Sequence, residues 1–250
     1  MNENSLLYWY PKIKGLVPTP ETEWVEFPDW RILCAVIDGD PEKKFDLYIP
    51  QVLAAARKIG YPLFMRTDQS SAKHDWIDTC FVPDEAHVLG NLGRLLDMNF
   101  CCDLNPIALV FRRFIEMDYK FRAFRGMPVA KEVRMFVRDG EIQCSHFYWP
   151  EEAIEFYGDT KPPKKWRSLL RATARISKND KLVLRDYAGR IARALPGYWS
   201  VDFCHGKNGE WWFIDAARGE QSYHDPKCRF KTAEVHERKK ALSAIVEKRG

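Results

Sequence analysis

Apolar runs of two different periods alternate along the chain. Nearly continuous apolar runs are typical of buried strands and lie at residues 31–37, 62–67 and 107–115. Longer stretches with helical spacing of apolar residues predict helices at residues 48–59, 84–98, 150–157, 164–176, 180–195 and 231–249. Asp84 is a suitable N-cap for the second of these helices, in which Leu89, Leu92 and Leu96 have helical spacing.

Two segments show the alternation expected of antiparallel hairpins. Residues 131–137 and 141–148 flank a turn with Asp139 and Gly140, and residues 199–206 and 210–216 flank Asn208 and Gly209. Asp-Gly and Asn-Gly between alternating strands favour two-residue type I′ turns. The mixture of helices and antiparallel pairs predicts an α+β fold of two lobes, the first at residues 1–105 and the second at 106–250.

The second hairpin brings two carboxylates together. If Asn208 and Gly209 form its loop, Asp202 and Asp215 face each other across the ladder, with Cβ atoms about 5 Å apart. Like charges so placed need a cation, a basic side chain or a raised pKa to compensate them. A pair of hard oxygen ligands suits Mg²⁺ shared with phosphate oxygens. The alternatives are an exposed aspartate or neutralisation by Arg218.

Arg66 interrupts an apolar strand immediately before a polar loop. A guanidinium on such a strand needs an anion as its partner. Backbone N–H groups around Ser70 and Ser71, together with Lys73, are suited to hold phosphates. The alternative is an edge strand with Arg66 in solvent, followed by an ordinary polar turn.

A third group of charges lies on the strand of the first hairpin. Glu132 and Arg134 share one face of that strand, and such a face is usually the solvated side of a sheet. Further charges cluster around the end of the apolar run at 107–115, namely Arg112, Arg113, Glu116 and Asp118.

Composition narrows the function classes. A net charge of +4 over 250 residues is far from that of a nucleic-acid packaging protein. The start of the chain has no signal-peptide pattern, and no apolar run is long enough to cross a bilayer, so we expect a soluble, cytoplasmic protein with no membrane partner. No two of the seven cysteines are separated by two residues, so zinc ribbons and redox motifs are not predicted and reduced structural thiols are expected.

Five segments, in this order, resemble an ATP-grasp domain. They are VPTPET at the entry to the domain, ARKIGYPLFMRTD at the phosphate-binding strand, LVFRRFIEM at the adenine hinge, KEVRMFVRDGEI at the following hairpin and VDFCHGKNGEWWFIDAA at the metal-binding hairpin. Within that superfamily the chain most resembles the cell-division-cycle-type proteins that assemble a translation initiation factor, and related phage and bacterial ATP-grasp proteins. The resemblance implies two lobes whose antiparallel sheets enclose a nucleotide cleft, with ATP and Mg²⁺ as cofactors.

The resemblance also implies a role for individual residues. The phosphates of ATP would be bound by Arg66 and Lys73, with Ser70 and Ser71; adenine by the backbone of Arg112, Arg113 and Phe114; and the ribose by Glu116 or Asp118. Catalysis would fall to Arg134, facing the transferred phosphate, and to Lys73, and Mg²⁺ would be held by Asp202 and Asp215. The asparagine that usually supplies a third metal ligand is replaced by Ala217, for which Glu220 is a candidate substitute.

Three functions remain open. The first is an ATP-dependent carboxylate–amine ligase that forms an acylphosphate and releases ADP and phosphate, acting on unknown substrates that include peptides or proteins. The second is an ATP-binding chaperone that assembles a protein complex with little catalysis. The third is RNA binding or joining through the basic stretch at 161–175, where Trp166 would stack on a base. The third is disfavoured because no Lys-x-Asp-Gly motif is present, so nucleic acid is not an expected partner.

Overall fold

The computed structural model describes residues 2–27, 45–156 and 162–231. The strand predicted at 31–37 and all but the first residue of the helix predicted at 231–249 lie outside these residues. The helices are α1 (Leu6–Ile13), α2 (Phe45–Ile59), α3 (Val88–Cys101), α4 (Glu151–Phe156), α5 (Trp166–Thr173) and α6 (Lys178–Ala194). The strands are β1 (Thr22–Glu26), β2 (Leu63–Thr67), β3 (Phe81–Val82), β4 (Ala108–Arg113), β5 (Tyr119–Ala123), β6 (Met127–Ala130), β7 (Glu132–Arg138), β8 (Glu141–Phe147), β9 (Tyr198–His205) and β10 (Trp211–Arg218).

Two four-stranded sheets and a two-stranded ribbon organise these elements. The first sheet has the order β1-β4-β2-β3, the second β10-β9-β7-β8, and β5 pairs with β6. All the pairings between these strands are antiparallel, which confirms the predicted α+β class. Because β4 lies between β1 and β2, the first sheet extends past the predicted lobe boundary at residue 105 and ends at Arg113. None of the described helices combines the length and apolarity needed to cross a bilayer.

Helices α2 and α3 cover the first sheet. Leu92, Leu95 and Leu96 of α3 are buried against this core, whereas Leu89 is 39% exposed, so the predicted apolar face of that helix is rotated. Asp84 does act as a cap, but for a preceding 3₁₀ turn, where its side chain accepts a hydrogen bond from the backbone N–H of Ala86.

Helices α1 and α6 cover the second sheet. Helix α1 was not predicted from the sequence, although Leu6, Trp9, Tyr10 and Ile13 have helical spacing and are buried. Ser5 caps its start by accepting a hydrogen bond from the backbone N–H of Leu7. The amino-terminal helix therefore belongs to the core of the second sheet rather than to that of the first.

The two predicted hairpins differ in their turns. In the first, Asp139 and Gly140 form a two-residue loop with positive φ angles of 47° and 91°, as predicted. In the second, Gly206 pairs with Glu210, so the loop has one residue more than predicted. A bulge between Phe213 and Asp215 then shifts the register, and Asp215 lies opposite Asp202 as expected, by a different route.

Replacing the buried Leu6 by alanine tests whether α1 is part of the folded core. Leu6 is fully buried, so Leu6→Ala should lower the free energy of unfolding by about 2–5 kcal/mol. Leu182→Ala on α6, where the leucine is 67% exposed, is the matched control and should change it by less than about 0.5 kcal/mol. Urea unfolding monitored by tryptophan fluorescence measures both, and equal effects would contradict the packing described for α1.

Candidate functional site

A cleft between the two four-stranded sheets is lined by side chains from β2, β4, β7, β9 and β10. It encloses about 780 Å³ of empty space, charged at one end and aromatic at the other. Most of the residues that the sequence singled out line it: Arg66, Ser71, Lys73, Arg112, Arg113, Phe114, Asp202 and Asp215.

An ion pair joins the two sheets at the charged end. Arg66 is 3% exposed, and its Nη1 donates to Oδ1 of Asp215 at 2.9 Å. Its Nε donates to the carbonyl oxygen of Thr67 at 2.9 Å. Strand β2 is an internal strand between β4 and β3, so the alternative of an edge strand with Arg66 in solvent is wrong.

A second ion pair holds the other aspartate. Arg134 on β7 lies directly beside Asp202 on β9, and its Nε and Nη2 donate to the two carboxylate oxygens, each at 2.8 Å. Burial opposes the charge on Arg134, but Asp202 outweighs it and raises the pKa of this guanidinium above its ordinary value. The facing aspartates are thus compensated by two arginines, and not by Arg218, which contacts Glu3 and Glu220 instead.

The charged face of β7 is a wall of the cleft rather than a solvated surface. Glu132 is 3% exposed, accepts a hydrogen bond from Nε1 of Trp149 at 3.0 Å, and lies 3.5 Å from Nζ of Lys73. Lys73 Nζ also lies 4.0 Å from the centre of the Tyr148 ring. Burial raises the pKa of Glu132; it opposes the charge on Lys73, whose pKa is nevertheless raised because Glu132 and Tyr148 favour the ammonium form.

Arg112 has a hydrogen-bond donor to spare. Its Nε donates to Oγ1 of Thr22 at 3.2 Å, and its Nη1 donates to the carbonyl oxygen of Ile214. Its buried Nη2 has no hydrogen-bond partner among the described residues. Burial, followed by the nearby charge of Arg66, lowers the pKa of Arg112 to about 10, which leaves it cationic at neutral pH.

The charged end of the cleft carries more positive than negative groups. Its cations and carboxylates are Arg66, Lys73, Arg112 and Arg134 against Glu132, Asp202 and Asp215. Four cations against three carboxylates leave a net charge of about +1 in a buried site, which favours an anionic ligand.

The opposite end of the cleft is aromatic. Trp76 stacks on Phe81 with ring centroids 5.7 Å apart, and Phe81 meets Phe114 edge-on at 5.2 Å. Trp76, Phe114 and Met127 all line the cleft. Flat apolar walls of this kind suit a planar ring such as a purine base.

Comparison with protein families and solved structures identifies the fold that builds this cleft. A family model described as an ATP-grasp domain, family 3 of its clade, matches residues 56–232, more than half of the chain. The chain belongs to this ATP-grasp family. The resemblance inferred from five sequence segments is therefore confirmed.

Solved structures show the same fold. Cdc123 from Schizosaccharomyces pombe superposes with a TM-score of 0.57 at 15% identity, covering 94% of this chain and 90% of that chain. Its C-terminally truncated form gives a TM-score of 0.56 at 14% identity, covering 86% of this chain and 83% of that chain. A search of curated proteins by sequence gives no significant match.

The adenine hinge of this ATP-grasp chain lies just beyond the predicted residues. Arg112 pairs with Thr22 on one side and with Phe64 on the other, so its backbone lies inside the sheet. Arg113 likewise donates its backbone N–H to the carbonyl oxygen of Glu21. Of the residues predicted to contact adenine through the backbone, Phe114 alone lies past the end of β4, at the start of the connection to β5.

The two carboxylates predicted near the ribose lie outside the cleft lining. Glu116 forms an ion pair with Lys207 at a neighbouring depression. Asp118 lies 3.9 Å from Nζ of Lys131 and 3.5 Å from Nδ1 of His205.

The serine loop of the ATP-grasp domain contributes less than predicted. The backbone N–H of Ser70 donates to Oγ1 of Thr67 at 3.0 Å, so it is committed within the turn. Ser71 does line the cleft. Ala72 adopts the left-handed conformation with φ of 46°, which carries the chain into the 3₁₀ turn that begins at Lys73. Glu220, the candidate third metal ligand, contacts Arg218 and is not part of the cleft lining.

A double-mutant cycle tests the buried pair of Arg134 and Asp202. Arg134→Met leaves a buried carboxylate without its partner and should cost about 3–5 kcal/mol of unfolding free energy. Adding Asp202→Asn removes that charge and should recover a large part of the loss.

The exposed pair of Arg57 and Glu85 is the control for this cycle. Arg57→Met and Glu85→Gln should show a coupling below about 1 kcal/mol, because solvent screens that pair. Urea unfolding of the variants measures both couplings. Additive effects at Arg134 and Asp202 would contradict the pairing.

Proposed function

We propose that this chain binds ATP with Mg²⁺ in the cleft and acts as a carboxylate–amine ligase. The γ-phosphoryl group passes to a substrate carboxylate, ADP leaves, and an amine attacks the acylphosphate and releases phosphate. The observation that carries the proposal is the group of four cations and two facing aspartates at one end of an aromatic cleft in an ATP-grasp fold.

The residues present fit both components of the cofactor. Asp202 and Asp215 offer the hard oxygen donors that Mg²⁺ prefers, on paired strands and facing each other. The partnerless Nη2 of Arg112 among the described residues and the net positive charge suit phosphate oxygens. The aromatic walls at Trp76 and Phe114 suit adenine.

Binding of the nucleotide would exchange the partners of the two ion pairs. A guanidinium binds phosphate oxygens in the same forked geometry as a carboxylate, so Arg66 and Arg134 can pass from the aspartates to the phosphates. The carboxylates that they release are then free to act as metal ligands. The exchange keeps every buried charge compensated, which a buried site requires.

In the reaction, the chain contributes position and charge. Bound Mg²⁺ supplies neutralisation of the phosphate oxygens. Lys73 and Arg134 stabilise the charge on the transferred phosphoryl group, and the aromatic walls limit access of water to the acylphosphate. A second depression shares Arg134 and Tyr148 with this region and is also bounded by Tyr223 and Asp225; we assign it to the acceptor substrate.

Nucleotide binding tests the phosphate role of Arg66. Arg66→Met removes a charge-assisted contact worth about 1.5–3 kcal/mol, so the affinity for ATP with Mg²⁺ should fall about 10-fold to 100-fold. Arg57→Met, which breaks an arginine–glutamate pair outside the cleft, should leave the affinity unchanged. Titration calorimetry measures both, after thermal unfolding has shown that the variants fold. A wild-type protein with neither binding heat nor a thermal shift at millimolar ATP would overturn the proposal.

The products of ATP cleavage test the reaction class. With radiolabelled ATP, Mg²⁺ and mixtures of amino acids or peptides, the ligase should release ADP, and hydroxylamine should trap the acylphosphate as a hydroxamate. Release of AMP and pyrophosphate, or a protein–AMP adduct, would favour RNA joining instead.

One observation favours a second candidate, an ATP-binding assembly factor with little catalysis. Ala217 stands where ATP-grasp enzymes usually carry a third metal ligand, and both aspartates are already paired with arginines. Tight ATP binding without cleavage in any acceptor mixture would select this function over the ligase.

A further inference from the structure

A cluster of cysteine and histidine side chains lies outside the cleft. Cys144 and His146 come from β8, and His224 and Cys228 come from the segment that follows β10. One nitrogen or sulfur atom of each lies within 4.8 Å of those of the others. Sγ of Cys144 lies 3.2 Å from Nε2 of His146 and 3.2 Å from Nε2 of His224.

These distances agree with four ligands around one small cation. Tetrahedral zinc with Zn–S of about 2.3 Å and Zn–N of about 2.0 Å places its ligand atoms about 3.3–3.8 Å apart. Two thiolates would balance the charge of Zn²⁺, so the occupied site would be neutral and cheap to bury. Two imidazole nitrogens converging on one thiol are harder to explain without a cation, because a thiol has a single weak donor.

Neighbouring groups orient the histidine rings for this purpose. His224 is 2% exposed, and its ring stacks on Phe136 with centroids 3.9 Å apart. The Tyr198 hydroxyl lies 3.2 Å from Nδ1 of His224, which leaves Nε2 to face the cysteine. Metal-binding histidines are typically held in this way through their second nitrogen. On β8, Cys144 and His146 are two residues apart and so share one face of the strand.

We propose that Cys144, His146, His224 and Cys228 bind a structural Zn²⁺ ion. Four protein ligands leave no open position for a substrate, so the ion would fasten the segment around His224 and Cys228 to the edge strand of the second sheet. That segment also touches the wall of the cleft, because Nη1 of Arg134 donates to the carbonyl oxygen of Tyr223 at 3.4 Å. Loss of zinc should therefore loosen the acceptor side of the cleft.

Metal analysis of the full chain tests the proposal. Protein purified without chelators or a histidine tag should contain about one zinc per chain by mass spectrometry. Cys144→Ser and Cys228→Ser should reduce this at least about 10-fold. Cys102→Ser, at an exposed cysteine away from the cluster, is the matched control and should retain the metal.

Cobalt provides a second readout that needs no variant. The reduced, metal-free protein titrated with Co²⁺ should show the intense visible bands of a tetrahedral site and thiolate-to-cobalt charge transfer, saturating at about one equivalent. His146→Cys keeps four ligands and should retain these bands with stronger charge transfer. Zinc below roughly a tenth of an equivalent together with no cobalt spectrum would overturn the proposal. So would a Cys144–Cys228 disulfide in protein taken from a reducing cell.

Discussion

The ion pair between Arg66 and Asp215 connects the two sheets, and the form of the cleft depends on it. Arg112 adds a parallel link, from the central strand of the first sheet to the carbonyl oxygen of Ile214. Together these contacts set where β10 lies against β2 and β4, and thus where Asp202 and Asp215 point. A buried ion pair adds little net stability compared with apolar residues of the same volume. The presence of these charges at the joint between the sheets is better explained by the ligand that the cleft receives.

Each charged group of the cleft has a partner that a phosphate or a metal can replace. Arg66 and Arg134 hold aspartates, Lys73 holds Glu132, and one nitrogen of Arg112 has no partner among the described residues. The carboxylates thereby compensate the buried cations before a ligand arrives. The excess of positive charge gives the exchange a direction, since an anion entering the cleft gains more than the carboxylates lose.

The sequence predicted the elements whose signals are local. Asp139 and Gly140 form the expected turn because both residues tolerate positive φ angles. The facing aspartates were predicted correctly, but a longer loop and a compensating bulge produce their register, and neither has a clear sequence signal. ATP-grasp membership followed from the order of several weak motifs, and the family match confirms it.

The remaining features depend on contacts between distant segments. Alternation along β7 gives a charged face, but it does not tell whether solvent or a second lobe covers Glu132. Helix α1 escaped prediction because Pro11 and the aromatic residues masked its apolar period. The cluster around Cys144 and His224 could not be found from spacing, since the fold alone brings its two halves together.

A crystal structure with Mg²⁺ and a non-hydrolysable ATP analogue tests the partner exchange most directly. The account predicts adenine between Trp76 and Phe114, guanidinium groups of Arg66 and Arg134 on phosphate oxygens, and Asp202 and Asp215 on the metal. Nucleotide bound elsewhere, or bound in the cleft with both arginine–aspartate pairs intact, would contradict it.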